Sequence, residues 1–148
     1  HPAPELGGAW GRERVNDAYN ASPQTENAAF EVVARLAPGR RRVLVLGDMK
    51  ELGPASPALH EQVGREAAAL DPAVLVAVGP EAAALAVGAR RQLAAARVLH
   101  VADADAAAAL LPDLVRPGDV VLVKGSRAMA LERVVAALRR ARAPSAPA

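Results

Sequence analysis

Lys50 and Lys124 are the only lysines among 18 basic residues; every other basic side chain is arginine. Each follows a short apolar run, Val43–Leu46 and Val120–Val123, of the kind that forms a strand. A lysine ammonium is a compact point charge suited to a carboxylate or phosphate. The alternative is a solvated surface charge at a strand end. The second run continues into Lys124-Gly125-Ser126-Arg127, a turn with two cations, a hydroxyl and a glycine that lets a ligand approach the backbone. At a strand-to-helix junction such a turn favours an anion, or it is a tight turn capped by Ser126. The first run continues into Gly47-Asp48-Met49-Lys50-Glu51-Leu52-Gly53. Asp48 there could bind a metal, accept hydrogen bonds or cap the turn, and capping is the simplest of the three. Asn16, Asp17, Tyr19 and Asn20 crowd a third polar stretch. Asp17 could hold a ribose diol, the role acidic residues play in nucleotide folds. Tyr19, the only tyrosine, could pack on a base or stand half-buried on the surface.

Other chemistries are excluded by what is missing. With no cysteine there is no disulfide, thiolate nucleophile or Cys-based zinc site. His60 has no second histidine near it, so a transition-metal site is not expected. No Gly-x-x-x-x-Gly-Lys-Ser/Thr phosphate loop and no Gly-x-Gly-x-x-Gly fingerprint occurs. Ser126 has no sequence partner to act as its general base. Aromatics form 2% of the chain and hydrophobic residues 52%. The core must therefore be Ala, Val and Leu, and stacking platforms for single-stranded nucleic acid are missing. The net charge of +2 and the separate runs Arg40–Arg42 and Arg139–Arg140 read as solvated element ends rather than a phosphate-tracking surface. No stretch approaches the roughly 18 apolar residues of a membrane span, and no signal peptide is recognisable. The expectation is a cytoplasmic protein with no nucleic-acid or membrane partner.

These turns need elements to hold them. Strand candidates are 14–16, 43–46, 74–78, 98–101 and 120–123, and helices are predicted near 23–36, 57–70, 81–93, 105–114 and 128–140. The later strands are continuous apolar runs, as in strands buried on both faces of a parallel sheet. Five β-then-α units predict an α/β fold: a three-layer α/β/α, Rossmann-like domain with a mostly parallel sheet of five to six strands. Ser22-Pro23 and Ser56-Pro57 each place a capping hydroxyl before proline at a helix start. Asp71-Pro72 ends the second helix. Residues 14–140 are expected to be the domain, residues 1–13 a linker or edge strand from a junction, and residues 141–148 a disordered tail. In an open α/β sheet ligands bind beyond the carboxyl ends of the strands. The turns after the first, second and fifth strands are polar, whereas Gly79-Pro80 and Ala102-Asp103 read as plain connections.

Three words in order resemble one family. Val-Asn-Asp-Ala-Tyr-Asn-Ala-Ser-Pro (15–23) looks like the opening of the C-terminal domain of the Mur ligases, in their D-alanyl-D-alanine-adding branch. Val-Leu-Gly-Asp-Met-Lys-Glu-Leu-Gly (45–53), followed by Leu59-His60-Glu61-Gln62-Val63-Gly64, is similar to its second signature. Leu-Val-Lys-Gly-Ser-Arg-Ala-Met (122–129), followed by Leu131-Glu132-Arg133-Val134-Val135, is similar to its last. The resemblance spans about residues 14 to 140. The Asp-Asn-Pro-Arg word typical of the diaminopimelate-adding branch is missing.

The resemblance implies an ATP-dependent ligase of peptidoglycan precursor synthesis. ATP phosphorylates the carboxylate of a UDP-N-acetylmuramoyl-tripeptide, and the amine of D-alanyl-D-alanine attacks the acyl phosphate. It implies Asp17, with Asn16, Tyr19 and Asn20, at the nucleotide. It implies Lys50, Asp48, Lys124, Gly125, Ser126 and Arg127 at the incoming dipeptide. Mg2+ ligands and the phosphate loop would belong to a central domain against which this one packs, and the chain alone is expected to be inactive. Ser22 stands where asparagine is commoner in the family, and the arginine expected just before the domain is not identifiable in residues 1–13. The rival readings are another ligase of the same family, an interaction module, and a signalling receiver domain with Asp48 as phosphoacceptor and Lys124 as its lysine. The receiver lacks support in two respects: no acidic pair follows the first strand, and Lys124 precedes glycine rather than the proline usual there.

Overall fold

A computed structural model describes residues 21–36 and 38–142. Helix α1 (Pro23–Leu36) leads into β1 (Arg42–Gly47), α2 (Ser56–Ala68), β2 (Val74–Val78) and α3 (Ala82–Ala89). Then come β3 (Val98–Val101), α4 (Ala104–Leu114), β4 (Val120–Lys124) and α5 (Glu132–Arg142), with single 3-10 turns at Gly53–Ala55, Ala95–Arg97 and Arg127–Met129. The strands form one sheet in the order β3-β2-β1-β4, every neighbouring pair parallel. Each strand of β1, β2 and β4 is buried almost throughout, while β3, at the edge, is not. That is the burial expected of parallel strands covered on both faces. Helices α2 and α3 pack together, with α1 against α2, and α4 packs on α5. These two groups are the outer layers of the predicted α/β/α fold.

The described sheet has four strands, fewer than the five to six expected. The fifth candidate, residues 14–16, lies outside the described residues, as do the linker segment 1–13 and residues 143–148. Helix α5 runs two residues past the expected boundary at 140.

Alanine and glycine set how tightly the layers close. A Cβ on Gly64 of α2 would come within 2.0 Å of the Leu85 carbonyl, and one on Gly88 of α3 within 2.0 Å of the Glu61 carbonyl. The two helices are therefore in backbone contact, a separation only glycine permits. The core beneath is Val, Leu and Ala, with Phe30 as the aromatic among its buried residues.

Some boundaries differ for local reasons. Helix α3 stops at Ala89 rather than at residue 93, because residues 90–93 mix i−4 and i−3 bonds, such as Leu93 to Ala89 and Arg91 to Gly88. The last helix begins at Glu132 rather than 128, because Ala130 adopts a left-handed conformation (φ 53°) after the 3-10 turn. Ser22 caps as expected: its hydroxyl accepts from the Thr25 N–H at 3.3 Å, and Thr25 Oγ1 accepts from the Ser22 N–H at 2.9 Å. Ser56 does not cap. It lies inside the first turn of α2, Ala55 holds the capping position, and the Ser56 hydroxyl is spent elsewhere.

The arginines before the strands are not merely solvated. Arg40 donates to the Gly118 carbonyl, Arg41 to the Leu114 carbonyl and the Asp119 carboxylate, Arg42 to the Leu70 carbonyl and Arg97 to the Pro72 carbonyl. They bond carbonyls at and just after helix C-termini, where cations are favoured. With Leu70, Asp71 and Ala73 they line a cavity of about 520 Å³ at the amino ends of the strands.

Candidate functional site

The chain order of the sheet places the site before any side chain is considered. The strand order reverses between β1 and β4, and the helices that follow these two strands, α2 and α5, go to opposite layers. This is the switch point at which open α/β sheets leave a crevice beyond their carboxyl ends. The turns that leave the sheet there are Gly47–Gly53 and Lys124–Arg127. In register, Leu46 stands beside Lys124 and Gly47 beside Val78, so the turns leave the sheet at one level.

The two turns touch. The Ser126 N–H donates to the Asp48 carbonyl at 3.1 Å. A Cβ on Gly125 would lie 3.0 Å from Gly47 Cα and 2.6 Å from the Leu131 side chain, so the approach needs glycine at 125. The turn after β2 joins them, because the Asp48 N–H donates to the Val78 carbonyl at 3.1 Å. Gly79 sits at φ 111°, where a Cβ would be 2.5 Å from Asp48 Oδ1.

Asp48 is fully buried. Its Oδ1 accepts from the Ala82 N–H at the start of α3 (2.7 Å) and its Oδ2 from Lys50 Nζ (3.2 Å). A carboxylate at a helix N-terminus is electrostatically favoured. Asp48 therefore caps, but it caps α3, from a neighbouring turn, rather than its own. A buried carboxylate with both oxygens engaged is not a phosphoacceptor, which removes the physical basis of the receiver reading.

Lys50 Nζ also donates to Glu81 Oε2 at 3.2 Å. Glu81 Oε1 accepts from the Ser56 hydroxyl at 2.8 Å. His60, fully buried, accepts the Met49 N–H on Nε2 at 3.0 Å. Its Nδ1 therefore carries the proton and faces the Ser56 carbonyl at 2.8 Å. His60 is a structural pin of the turn, not a ligand or base. Burial opposes the Lys50 ammonium, but hydrogen bonds and attraction from Asp48 and Glu81 outweigh it and hold its pKa above the ordinary lysine value. For Glu81 the Ser56 hydrogen bond, helped by Lys50 and opposed by burial, holds the carboxyl below the ordinary glutamate value.

The other expected residues divide by depth. Lys124 is 1% exposed despite its charge, Gly125 and Ser126 are buried, and Arg127 is exposed. The Ser126 hydroxyl is a buried polar atom with no hydrogen-bond partner, and it does not cap the 3-10 turn that follows. Asn16, Asp17, Tyr19 and Asn20 lie outside the described residues. Among the described residues no three His, Asp or Glu side chains converge to hold a metal ion, and no helix is long and apolar enough to cross a membrane.

Sequence reasoning missed Glu81 and Ser56. The Gly79-Pro80 turn looked plain because its functional group, Glu81, sits one residue later and acts on a lysine 31 positions upstream. The one available signal was the pair Ser56 and His60, spaced i, i+4 on one helix face. Ala102-Asp103 behaves as read, with Asp103 accepting the Ala106 N–H at 2.9 Å to cap α4.

A family described as "Mur ligase, glutamate ligase domain" matches residues 6–127. The chain is 39% identical over 142 residues to the UDP-N-acetylmuramoyl-tripeptide–D-alanyl-D-alanine ligase of Mycobacterium tuberculosis (strain ATCC 25618 / H37Rv), covering 84% of this chain and 28% of that protein. It is 40% identical over 127 residues to the Escherichia coli (strain K12) protein of the same name, covering 84% and 26%. Among solved structures, MurF from Acinetobacter baumannii superposes with a TM-score of 0.72 at 31% identity, covering 84% of this chain and 27% of that one. MurF ligase from Thermotoga maritima in complex with ADP gives 0.67 at 31% identity, covering 84% and 27%. The chain thus spans little more than a quarter of the length of these relatives.

Proposed function

The chain belongs to the Mur ligase family, and from that premise we propose that it is the C-terminal domain of an ATP-dependent ligase joining D-alanyl-D-alanine to a UDP-N-acetylmuramoyl-tripeptide. The observation that carries this reading is the meeting of the turns after β1 and β4 at the switch point, bonded through Ser126 and Asp48. Cationic side chains and an unpartnered hydroxyl gather there, as an incoming carboxylate requires. Relatives bearing the ligase name, and a neighbour titled as an ADP complex, support the same reading.

In this reading Lys50, Ser126 and Arg127 meet the dipeptide carboxylate. Gly125 gives it room, Asp48 fixes the turn, and Lys124 adds positive charge from within the fold. Asn16, Asp17, Tyr19 and Asn20 contribute to the nucleotide pocket, with Asp17 at the ribose. Mg2+ and the phosphate loop belong to a central domain that packs against this rim. The setting is cytoplasmic, where nucleotide-linked precursors and ATP are both present. The domain's own contribution is positioning: an acyl phosphate hydrolyses, so closing the rim over the site excludes water and orients the attacking amine.

Steady-state kinetics of the complete ligase test this. Lys50→Ala and Arg127→Ala should each raise the D-alanyl-D-alanine KM about tenfold, the loss of one charge-assisted bond, with ATP KM little changed. Asp17→Ala should raise the ATP KM instead. Unchanged dipeptide constants in both rim variants would remove the carboxylate assignment.

A further inference from the structure

Lys50 hangs on a four-carbon stem from a turn, and its buried partner Asp48 is only two residues away. One bond to so near a neighbour leaves the ammonium free to swing, and a lysine carries about 2 kcal/mol of rotamer entropy that a ligand must otherwise overcome. The second bond, to Glu81, comes from a different element and fixes the ammonium from another direction. Glu81 is itself tied by Ser56, and Ser56 is buried against His60, which grips the Met49 backbone beside Lys50. The chain of contacts thus leaves the turn, passes through the core of α2 and returns to the turn.

The exposure pattern separates support from working surface. Asp48 and Ser56 are buried, whereas the Lys50 and Glu81 side chains are 39% and 36% exposed at the rim. An ion pair this open to water contributes little to stability. Two carboxylates around one ammonium also make a poor stabilising device, since the pair of anions repel each other. The arrangement does, however, leave one of the three ammonium N–H groups uncommitted while the other two set its direction.

We infer that Glu81 is a positioning residue for Lys50, aiming its remaining N–H at the carboxylate of the incoming dipeptide through an anchor that runs back to Ser56. The inference rests on the dipeptide reading of the rim given above. The upward shift of the Lys50 pKa agrees with it, because the ammonium stays charged while it is held.

The test uses Glu81→Gln, which keeps size and removes charge, and Ser56→Ala, which leaves the charge but frees it. In the complete ligase, Glu81→Gln should raise the D-alanyl-D-alanine KM at least fivefold with the ATP KM within twofold. Ser56→Ala should move it the same way by less, and carries the kinetic test alone if Glu81→Gln does not fold. Because the chain has only two lysines, 13C,15N-lysine labelling of the 148-residue chain gives two side-chain signals, and the one lost in Lys50→Ala reports Lys50. Its NMR titration should move down in pH in Glu81→Gln. If Lys50→Ala raises the dipeptide KM while neither variant does, or if the Lys50 titration is unmoved, the positioning role is overturned and the dipeptide site stands. If Lys50→Ala itself leaves the dipeptide KM unchanged, the dipeptide site falls and the positioning role with it.

Discussion

At the scale of residues, the rim shows how charge placement is enforced by groups that never need to meet a ligand. Glu81 has its pKa held below 4.5 chiefly by Ser56 and then by Lys50. A carboxyl with a depressed folded pKa adds stability that is complete above its unfolded value and is lost as pH falls through the folded one. Chemical denaturation midpoints should therefore drop below about pH 4.5, and Glu81→Gln should flatten that part of the acid limb. Lys50 acts with the opposite sign: its raised pKa gives stability present below the ordinary lysine value and lost above it, in strong alkali. Gly79 is the sharpest steric demand at the rim. Gly79→Ala forces a side chain onto φ 111° and drives its Cβ against Asp48 Oδ1 and Met129 Cε, both within 2.6 Å. It should cost about 2–4 kcal/mol in urea denaturation, combining backbone strain with overpacking.

At the scale of elements, the apolar runs of β1, β2 and β4 were legible to within a residue or two, because a strand buried on both faces has only one composition open to it, and the half-buried edge strand β3 was legible from its valines. Helix α1 was legible from Ser22-Pro23, where a side-chain cap and a proline agree. The helix ends that were misjudged turn on facts a sequence window does not hold. Ala130 takes a left-handed conformation with no glycine to announce it, and Ser56 gives its hydroxyl to Glu81 at the start of the neighbouring helix α3 rather than capping its own helix. The Lys50 and Lys124 turns were placed correctly on one edge, but the burial of Lys124 and the double engagement of Asp48 come from long-range packing. The contact of α2 with α3 was also invisible, because Gly64 and Gly88 look like helix-weakening residues until the partner backbone is present. Gly64→Ala or Gly88→Ala should each destabilise the fold by about 1–3 kcal/mol by overpacking, measured as a fall in the denaturation midpoint. A second glycine-to-alanine change at the same contact should add less than the first, since the helices are by then already parted.

At the scale of the whole molecule, the proposed reading gives this domain one wall of a reaction site and leaves the phosphate chemistry to a central domain. Residues 1–148 should release no phosphate from ATP in the presence of D-alanyl-D-alanine and the nucleotide tripeptide. Turnover by the purified chain would overturn the division of labour proposed above. That division also suits the distribution of charge: arginines bond carbonyls at the amino ends of the strands, while Lys50 is tied to Asp48 and Glu81 at the carboxyl ends.

Gly47 and Gly125 stand back to back, with no room for even a methyl group between their backbones. That contact and the Ser126–Asp48 hydrogen bond join the two turns into one lip. Any movement that carries this lip toward another domain carries both halves together, as a jaw whose hinge lies outside it.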